Sequence, residues 1–526
     1  MAKQFHTTFI PPLMVYLAAG LSGLTGIVGI FFIKEYLDLS ASFIASLGFW
    51  AGIPWALKMP LGHLVDIIWR WKYLLVYVGA SLIAASIFIM YNLVANTEAM
   101  AALGSVKAWY VLSVLLAPVG YALQDVVADA MTVEAVPVTD SDGNQLTEEA
   151  VKQSHTTMQT LGRASIIMGF ILVAVLNISI FSDVETISDA AKTEKYANIY
   201  LLALLIPVIS VAGVTLGELL KRQRDQNKID PARHHSENVS AKSQRSDTKP
   251  NWTLFGGSFA FVFFTVSIGL SNIKFDQEIV FIGSMVIIIF LMRNLIVELP
   301  QETRGALIGT AIIIFVFRAM PLPGTGISWW EIDILGFDQQ FLSVLSLITS
   351  SLTLVGILAL RPFMATHTIA FVVFWLTIAT TFLSLPNIGL FYGLHEWTSS
   401  WSNGVIDARF IAIFDTMLES PLGQISMIPM LAWIAKNAPP HLKATFFAVM
   451  ASFTNLALSA SSLGTKYLNE VFLITREVRD KETNAIVVAA DYSQIGTLLI
   501  TVAIITVIAP ISTIVLVQNS RFRADQ

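Results

Sequence analysis

Tyr121-Ala122-Leu123-Gln124-Asp125-Val126-Val127-Ala128-Asp129-Ala130-Met131-Thr132-Val133-Glu134 sets three carboxylates inside a stretch that otherwise reads as membrane-buried helix. A charge at the centre of such a helix costs roughly 2.5–3.5 kcal/mol on insertion scales. Acids kept there need a partner or a task. Asp125 and Asp129 are four residues apart, so they share one helical face. Glu134 points away from Asp129 and lies nearer the helix end. It reads as a salt-bridge partner for Arg70 or Lys72 rather than as a ligand.

The rest of the chain fits a membrane setting. It has 526 residues, of which 55% are hydrophobic and 13% charged. A soluble domain carries about 25% charged residues, and the mean hydropathy here is +0.68. With no cysteine, disulfides and thiolate metal sites are excluded. The eight histidines show no metal-ligand spacing. No nucleophile–base motif or cofactor fingerprint is present, so neither enzyme activity nor a cofactor is expected. Nucleic acid is not an expected partner.

Spanning hydrocarbon as a helix takes about 20 apolar residues. Candidate spans fall near 10–33, 42–66, 73–95, 107–135, 154–181 and 197–220, then 251–272 and 277–297, then 304–326, 340–361, 366–394, 407–436, 441–469 and 491–518. The count is fourteen, arranged as six, two and six. The first run lacks a small-residue cleavage site and reads as a retained helix rather than a signal peptide. Lys and Arg concentrate in loops that lie inside if both termini are cytoplasmic. The loop with Arg476, Arg479 and Lys481 runs against that bias. The expected units are 1–220, a six-helix bundle; 221–250, a Ser-rich polar cytoplasmic linker; 251–303, two additional spans; and 304–526, a second six-helix bundle.

Two sets of six suggest a duplicated unit, as in many transporters. Ala122-Leu-Gln-Asp125 with Asp129 in the first set parallels Ala412-Ile-Phe-Asp415 with Glu419 in the last. At ~1.5 Å rise per residue, Lys58 and Arg163 come to roughly 12–14 Å from the inner surface, close to Asp125. Arg318 falls near the midplane, close in depth to Glu419. The candidate substrate and proton-coupling residues are therefore Asp125, Asp129, Lys58, Arg163, Arg318, Asp415 and Glu419. The candidate gating residues are Asp66, Arg70, Lys72 and Glu134. The bland alternative is mutual neutralisation that only holds the bundle together.

Four smaller features carry expectations. Gly20, Gly23, Gly26 and Gly29 recur every third residue and read as a helix-packing stripe. Pro54 and Pro60 flank Lys58, where an interrupted helix would expose backbone carbonyls. Trp50 and Trp55 either stack on a planar ligand or pack within the protein. Glu278 begins an additional helix and reads as interfacial.

Gly62-His-Leu-Val-Asp66-Ile-Ile-Trp-Arg70-Trp-Lys72 resembles a worn loop motif of the major facilitator superfamily. Pro54-Trp55-Ala-Leu-Lys58-Met-Pro60-Leu-Gly62, the acidic fourth helix, Arg318-Ala-Met-Pro321 and Ile428-Pro429-Met430-Leu431 resemble the folate-biopterin transporter family of that superfamily. Ala438-Pro-Pro-His-Leu-Lys443-Ala-Thr445 resembles it as well. The resemblance covers about three-quarters of the chain in fragments. Three features depart from the family pattern: two basic residues after Asp66 instead of a run, an arginine at 318, and two additional central helices. Muropeptide permeases share an acidic fourth helix and can carry extra helices, which keeps the substrate open.

The resemblance implies an all-α membrane protein with two six-helix bundles of major facilitator type. It implies a secondary transporter of a small, anionic, folate- or pterin-like solute, working by alternating access with H+ as the coupling ion. The expected setting is the lipid bilayer of a bacterial inner membrane, and the expected state is a monomer. A non-transporting receptor or scaffold on the same fold is the competing class.

Overall fold

The computed structural model describes residues 6–37, 39–56, 58–68, 71–136, 146–184, 187–227, 252–269, 271, 273–297, 301–359, 367–422, 443–479 and 486–523. Among these, eight helices are long and apolar enough to cross a membrane. The protein is a multi-pass membrane protein.

Apolar runs become helices because each peptide group must find its hydrogen bond within its own segment once water is absent. The first half comprises α1 (Ile10–Leu21), α2 (Gly26–Tyr36), α3 (Ala41–Ala56), α4 (Lys58–Ile67), α5 (Tyr73–Ala95), α6 (Thr97–Leu103), α7 (Val106–Ala135), α8 (Glu148–Ile180), α9 (Asp189–Ala203) and α10 (Leu205–Asn227). Two central helices follow, α11 (Trp252–Gly269) and α12 (Asp276–Ile296). The second half begins with α13 (Gln301–Arg318), α14 (Thr325–Asp333), α15 (Gln339–Ala359), α16 (Ile369–Leu383) and α17 (Leu385–Phe391). It ends with α18 (Leu394–Trp401), α19 (Ala408–Glu419), α20 (Lys443–Val471) and α21 (Ile495–Gln518).

The observed helices overlie many of the expected spans, although eight rather than fourteen are long and apolar enough to cross a membrane among the described residues. The expected 304–326 helix stops at Arg318, because Pro321, Pro323 and Gly324 follow and Gly324 takes φ +87°. A separate short helix, α14, then begins. The expected 42–66 span is covered by α3 and α4, with residue 57 between them outside the described residues. Residues 423–442, inside the expected 407–436 span and the quoted junction motif, lie outside the described residues. The polar linker does not start at Lys221, since α10 runs on to Asn227. A two-stranded antiparallel hairpin of Val478–Arg479 and Ile486–Val488 also interrupts the all-helical plan.

Packing divides by half. In the first half α1 lies on α7, α8 and α10, and α5 on α7 and α9. In the second half α13 lies on α20 and α21, α16 on α21, and α15 on α19. The halves meet where α3 runs along α20 and α8 along α15.

The glycine stripe splits. A Cβ on Gly20 would fall 2.1 Å from the Ile166 carbonyl, because α1 and α8 touch backbone to backbone at Gly20 and Gly169. Gly23 has ordinary contact, whereas Gly26 and Gly29 face open space. The expected packing role therefore holds only at the start of the stripe.

Candidate functional site

α7 carries Asp125 and Asp129 one turn apart, and the first turn of α4 brings Lys58 between them. The Lys58 Nζ lies 2.6 Å from Asp125 Oδ2 and 2.7 Å from Asp129 Oδ2. Tyr16 of α1 donates its phenol hydrogen to Asp129 Oδ1 at 2.6 Å. One edge of the Tyr16 ring lies against Gly162 of α8, where a Cβ would come within 2.8 Å of it. Four helices thus converge on one carboxylate pair. The side chain of Asp129 is 44% accessible and that of Asp125 is 16%, so the cluster is open on the Asp129 side. With both acids ionised, one ammonium faces two carboxylates and one negative charge is left over. Such a site suits a titrating proton or a cationic group.

Residue Arg163 follows Gly162 on α8, is exposed, and lies within electrostatic reach of both acids. At the end of α13, Arg318 has a buried Nε with no hydrogen-bond partner among the described residues, and Arg163 lies within electrostatic reach of it. Among the described residues neither guanidinium has a carboxylate partner. A buried polar group without a partner is expensive, and that of Arg318 could be satisfied by an anionic group. The two arginines come from different halves.

The last-half counterpart is built differently. Asp415 is buried on α19 and accepts from Asn387 Nδ2 at 2.9 Å. The expected neighbour of Arg318 in depth is Glu419, whose side chain lies outside the described residues, as do the side chain of Asp66 and all of Arg70.

Glu134 lies at the far end of α7. It accepts from Lys72 Nζ at 2.6 Å, from Tyr73 at 3.2 Å and from Lys221 Nζ at 3.2 Å. The Lys72 side chain is completely buried. Burial pushes Glu134 up, but Lys72 and then Lys221 outweigh it and hold the carboxyl below its ordinary value. Lys221 is the partner that sequence reading assigned to a linker.

At the opposite end of the helices, Lys34 of α2 pairs with Asp333 of α14 at 2.5 Å. Tyr492 donates to the same carboxylate. Buried Arg476 donates to the Lys34 carbonyl and lies over the Trp329 ring at 5.7 Å. Gln339 donates to Tyr196 Oη at 2.6 Å. All except the Tyr492 bond and the Arg476–Trp329 stack join first-half to last-half elements. None of Tyr16, Lys34, Asp333 or Arg476 was a sequence candidate. The one available signal was that Arg476 broke the charge bias of the loops. Burial also pushes Glu331, two residues before Asp333, up to about 7.

The expected interruption beside Lys58 turns on residue 57, which lies outside the described residues. The carbonyl of Trp55 accepts from Asn455 Nδ2 of α20 at 3.0 Å. Trp50 sits edge-on to Phe49 and against Gly269 of α11. It is a packing residue, not a stacking platform.

A model of the BT1 family matches residues 19–526. A folate-biopterin transporter from Synechocystis sp. is 27% identical over 146 residues. That match covers 28% of this chain and spans about 28% of the relative's length. A crystal structure of a POT family transporter in complex with 5-aminolevulinic acid superposes with TM-score 0.61 at 12% identity, covering 98% of this chain and 96% of that one. The inward open conformation of the xylose transporter XylE from E. coli gives TM-score 0.50 at 12% identity, covering 97% and 95%. At these identities the likeness is one of fold, and the fold is the two-bundle major facilitator arrangement.

Proposed function

The chain belongs to the BT1 family, and from that membership we propose that it is a secondary transporter carrying a small organic anion of folate or pterin type, coupled to protons. The observation that supports the reading is the charge set: a carboxylate pair sharing one lysine, with Arg163 and Arg318 nearby from opposite halves and without a carboxylate partner among the described residues. In this reading residues 1–220 and 304–526 rock against each other and expose the site alternately. Arg163 and Arg318 hold the anionic group. Asp129, tied to Lys58 and Tyr16, stays ionised, while Asp125 takes and releases the proton. Asp415 is the last-half residue placed to sense the same movement. Both chain ends lie on the cytoplasmic side of a bacterial inner membrane, so the Glu134 end is inner and the Lys34 end outer.

Purified protein in liposomes, challenged with pterins, folates, sugar-peptides and amino acids, tests this. The expected result is uptake of a carboxylated pterin or folate that accumulates only when the outside is more acidic. Ligand binding without uptake would instead support a receptor on a transporter fold. Uptake of sugar-peptides alone would move the assignment to a muropeptide-type substrate.

A further inference from the structure

We propose that the α11–α12 hairpin is a clasp across the seam between the two bundles, gripping α3 through Gln277 and α20 through Glu278 at the Lys34 end. It must release one of them when that end opens. The proposal rests on the transport reading only for the claim that the end opens in a cycle.

The hairpin belongs to neither six-helix set, and a simple connector would need no contact with both. Yet it fills the groove where α3 meets α20. Phe261 of α11, Val280 of α12, Phe49 and Ile53 of α3 and Leu463 of α20 form one buried apolar cluster. The end of α11 comes hard onto α3, since a Cβ on Gly269 would lie 3.1 Å from the Trp50 ring.

The polar contacts then divide between the halves. Buried Gln277 donates from Nε2 to the Ser46 carbonyl at 3.3 Å, and also to the Ser46 hydroxyl. The next residue, Glu278, pairs with Lys466 Nζ at 3.3 Å and accepts from Tyr467. Successive residues on a helix diverge by about 100°, so one turn of α12 reaches two different partners. The seam it bridges is smooth. A Cβ on Gly52 would be 3.2 Å from Ser459 Oγ, and one on Gly48 would be 3.7 Å from Ser462 Oγ. Small residues of this kind pack closely without interlocking. A tie laid across such a seam therefore adds a restraint that the seam itself lacks.

The chain has no cysteine, so Ser462→Cys introduces a unique thiol in the seam. Its labelling by a membrane-impermeant maleimide, added from the Lys34 side in liposomes, needs no substrate. Combining it with Q277A and E278Q is expected to speed labelling about three- to tenfold, the range for losing one or two intramembrane polar contacts. Labelling at the parent rate would overturn the clasp. In a second variant, Ser46→Cys with Gln277→Cys and Glu278→Cys with Lys466→Cys in one chain, oxidation fixes both grips covalently. Uptake should stop and return with reductant, while either pair alone should still permit uptake. Uptake at the parent rate with both disulfides formed would equally overturn the proposal. If no substrate is ever transported, the labelling comparison still decides it.

Discussion

Tyr16 donates to Asp129 at 2.6 Å, whereas Asp125, one turn away on the same face, is held among the described residues by Lys58 alone. The two carboxylates are adjacent but not equivalent. One has a lysine and a phenol; the other has only its share of the lysine. In the proposed proton-coupled cycle, this asymmetry would give them different work.

The Asp125→Asn variant should abolish pH-driven accumulation while leaving exchange of substrate across the membrane intact. Uptake and counterflow in liposomes measure the two separately. Accumulation that persists in the variant removes Asp125 as the coupling residue. Lys58→Ala should be far worse, because it strands two carboxylates. Breaking a buried pair costs about 3–5 kcal/mol, and the openness at Asp129 puts this case at the lower end. Loss of folded protein on detergent gel filtration is the readout.

Arg318→Gln should weaken binding of a carboxylated pterin about 10- to 100-fold and a neutral pterin far less, as expected when one charge-assisted hydrogen bond of ~1.5–3 kcal/mol is removed. Titration of both ligands against purified protein distinguishes the outcomes. Equal losses would make Arg318 a structural residue.

The Lys72–Glu134–Lys221 group predicts an acid limit to stability. The folded Glu134 carboxyl is held below its ordinary value. Its contribution is therefore present above the unfolded value, about 4.3, and disappears as pH falls through the lower folded value. Melting temperature followed from pH 6 to pH 3 should fall, and E134Q should start lower and show a shallower decline. A parallel decline in both would show that Glu134 is not responsible.

Glu331 predicts the opposite slope. Its folded value is raised to about 7, so its contribution is fully present below the unfolded value and is lost as pH rises through 7. The melting temperature should drop between about pH 4.3 and pH 7 and level off above it, and Glu331→Gln should flatten that drop. An unchanged slope in the variant would assign it to other groups.

The glycine stripe predicts a contrast within one helix. Gly20→Ala should lower expression and melting temperature, since backbone and not a flexible side chain occupies the Cβ position. Gly26→Ala, facing open space, should match or slightly exceed the parent. Comparable damage from both would contradict the packing at Gly20.

Much of this was legible along the chain because helices are local. Hydropathy marked the spans, four-residue spacing put Asp125 and Asp129 on one face, and counting the rise per residue brought Lys58 to their height. What escaped was pairing across distance. Arg476 and Lys34 are separated by 442 residues, and no periodicity links them. Tyr16 looked like one more aromatic in an apolar helix, because a phenol announces its hydrogen bond only when the partner is known. Trp50 was ambiguous for the same reason: an indole against Gly269 and an indole facing a ligand have the same sequence context.

Two fastenings lie within one helical turn of each other. The Trp55 carbonyl is tied to the last half through Asn455, and Lys58, three residues on, is tied to α7. A shift of α20 against α7 is therefore felt at once beside the ammonium that both carboxylates share. The seam between the halves and the charge cluster are mechanically neighbours, so a movement of the one is registered by the other without any long relay.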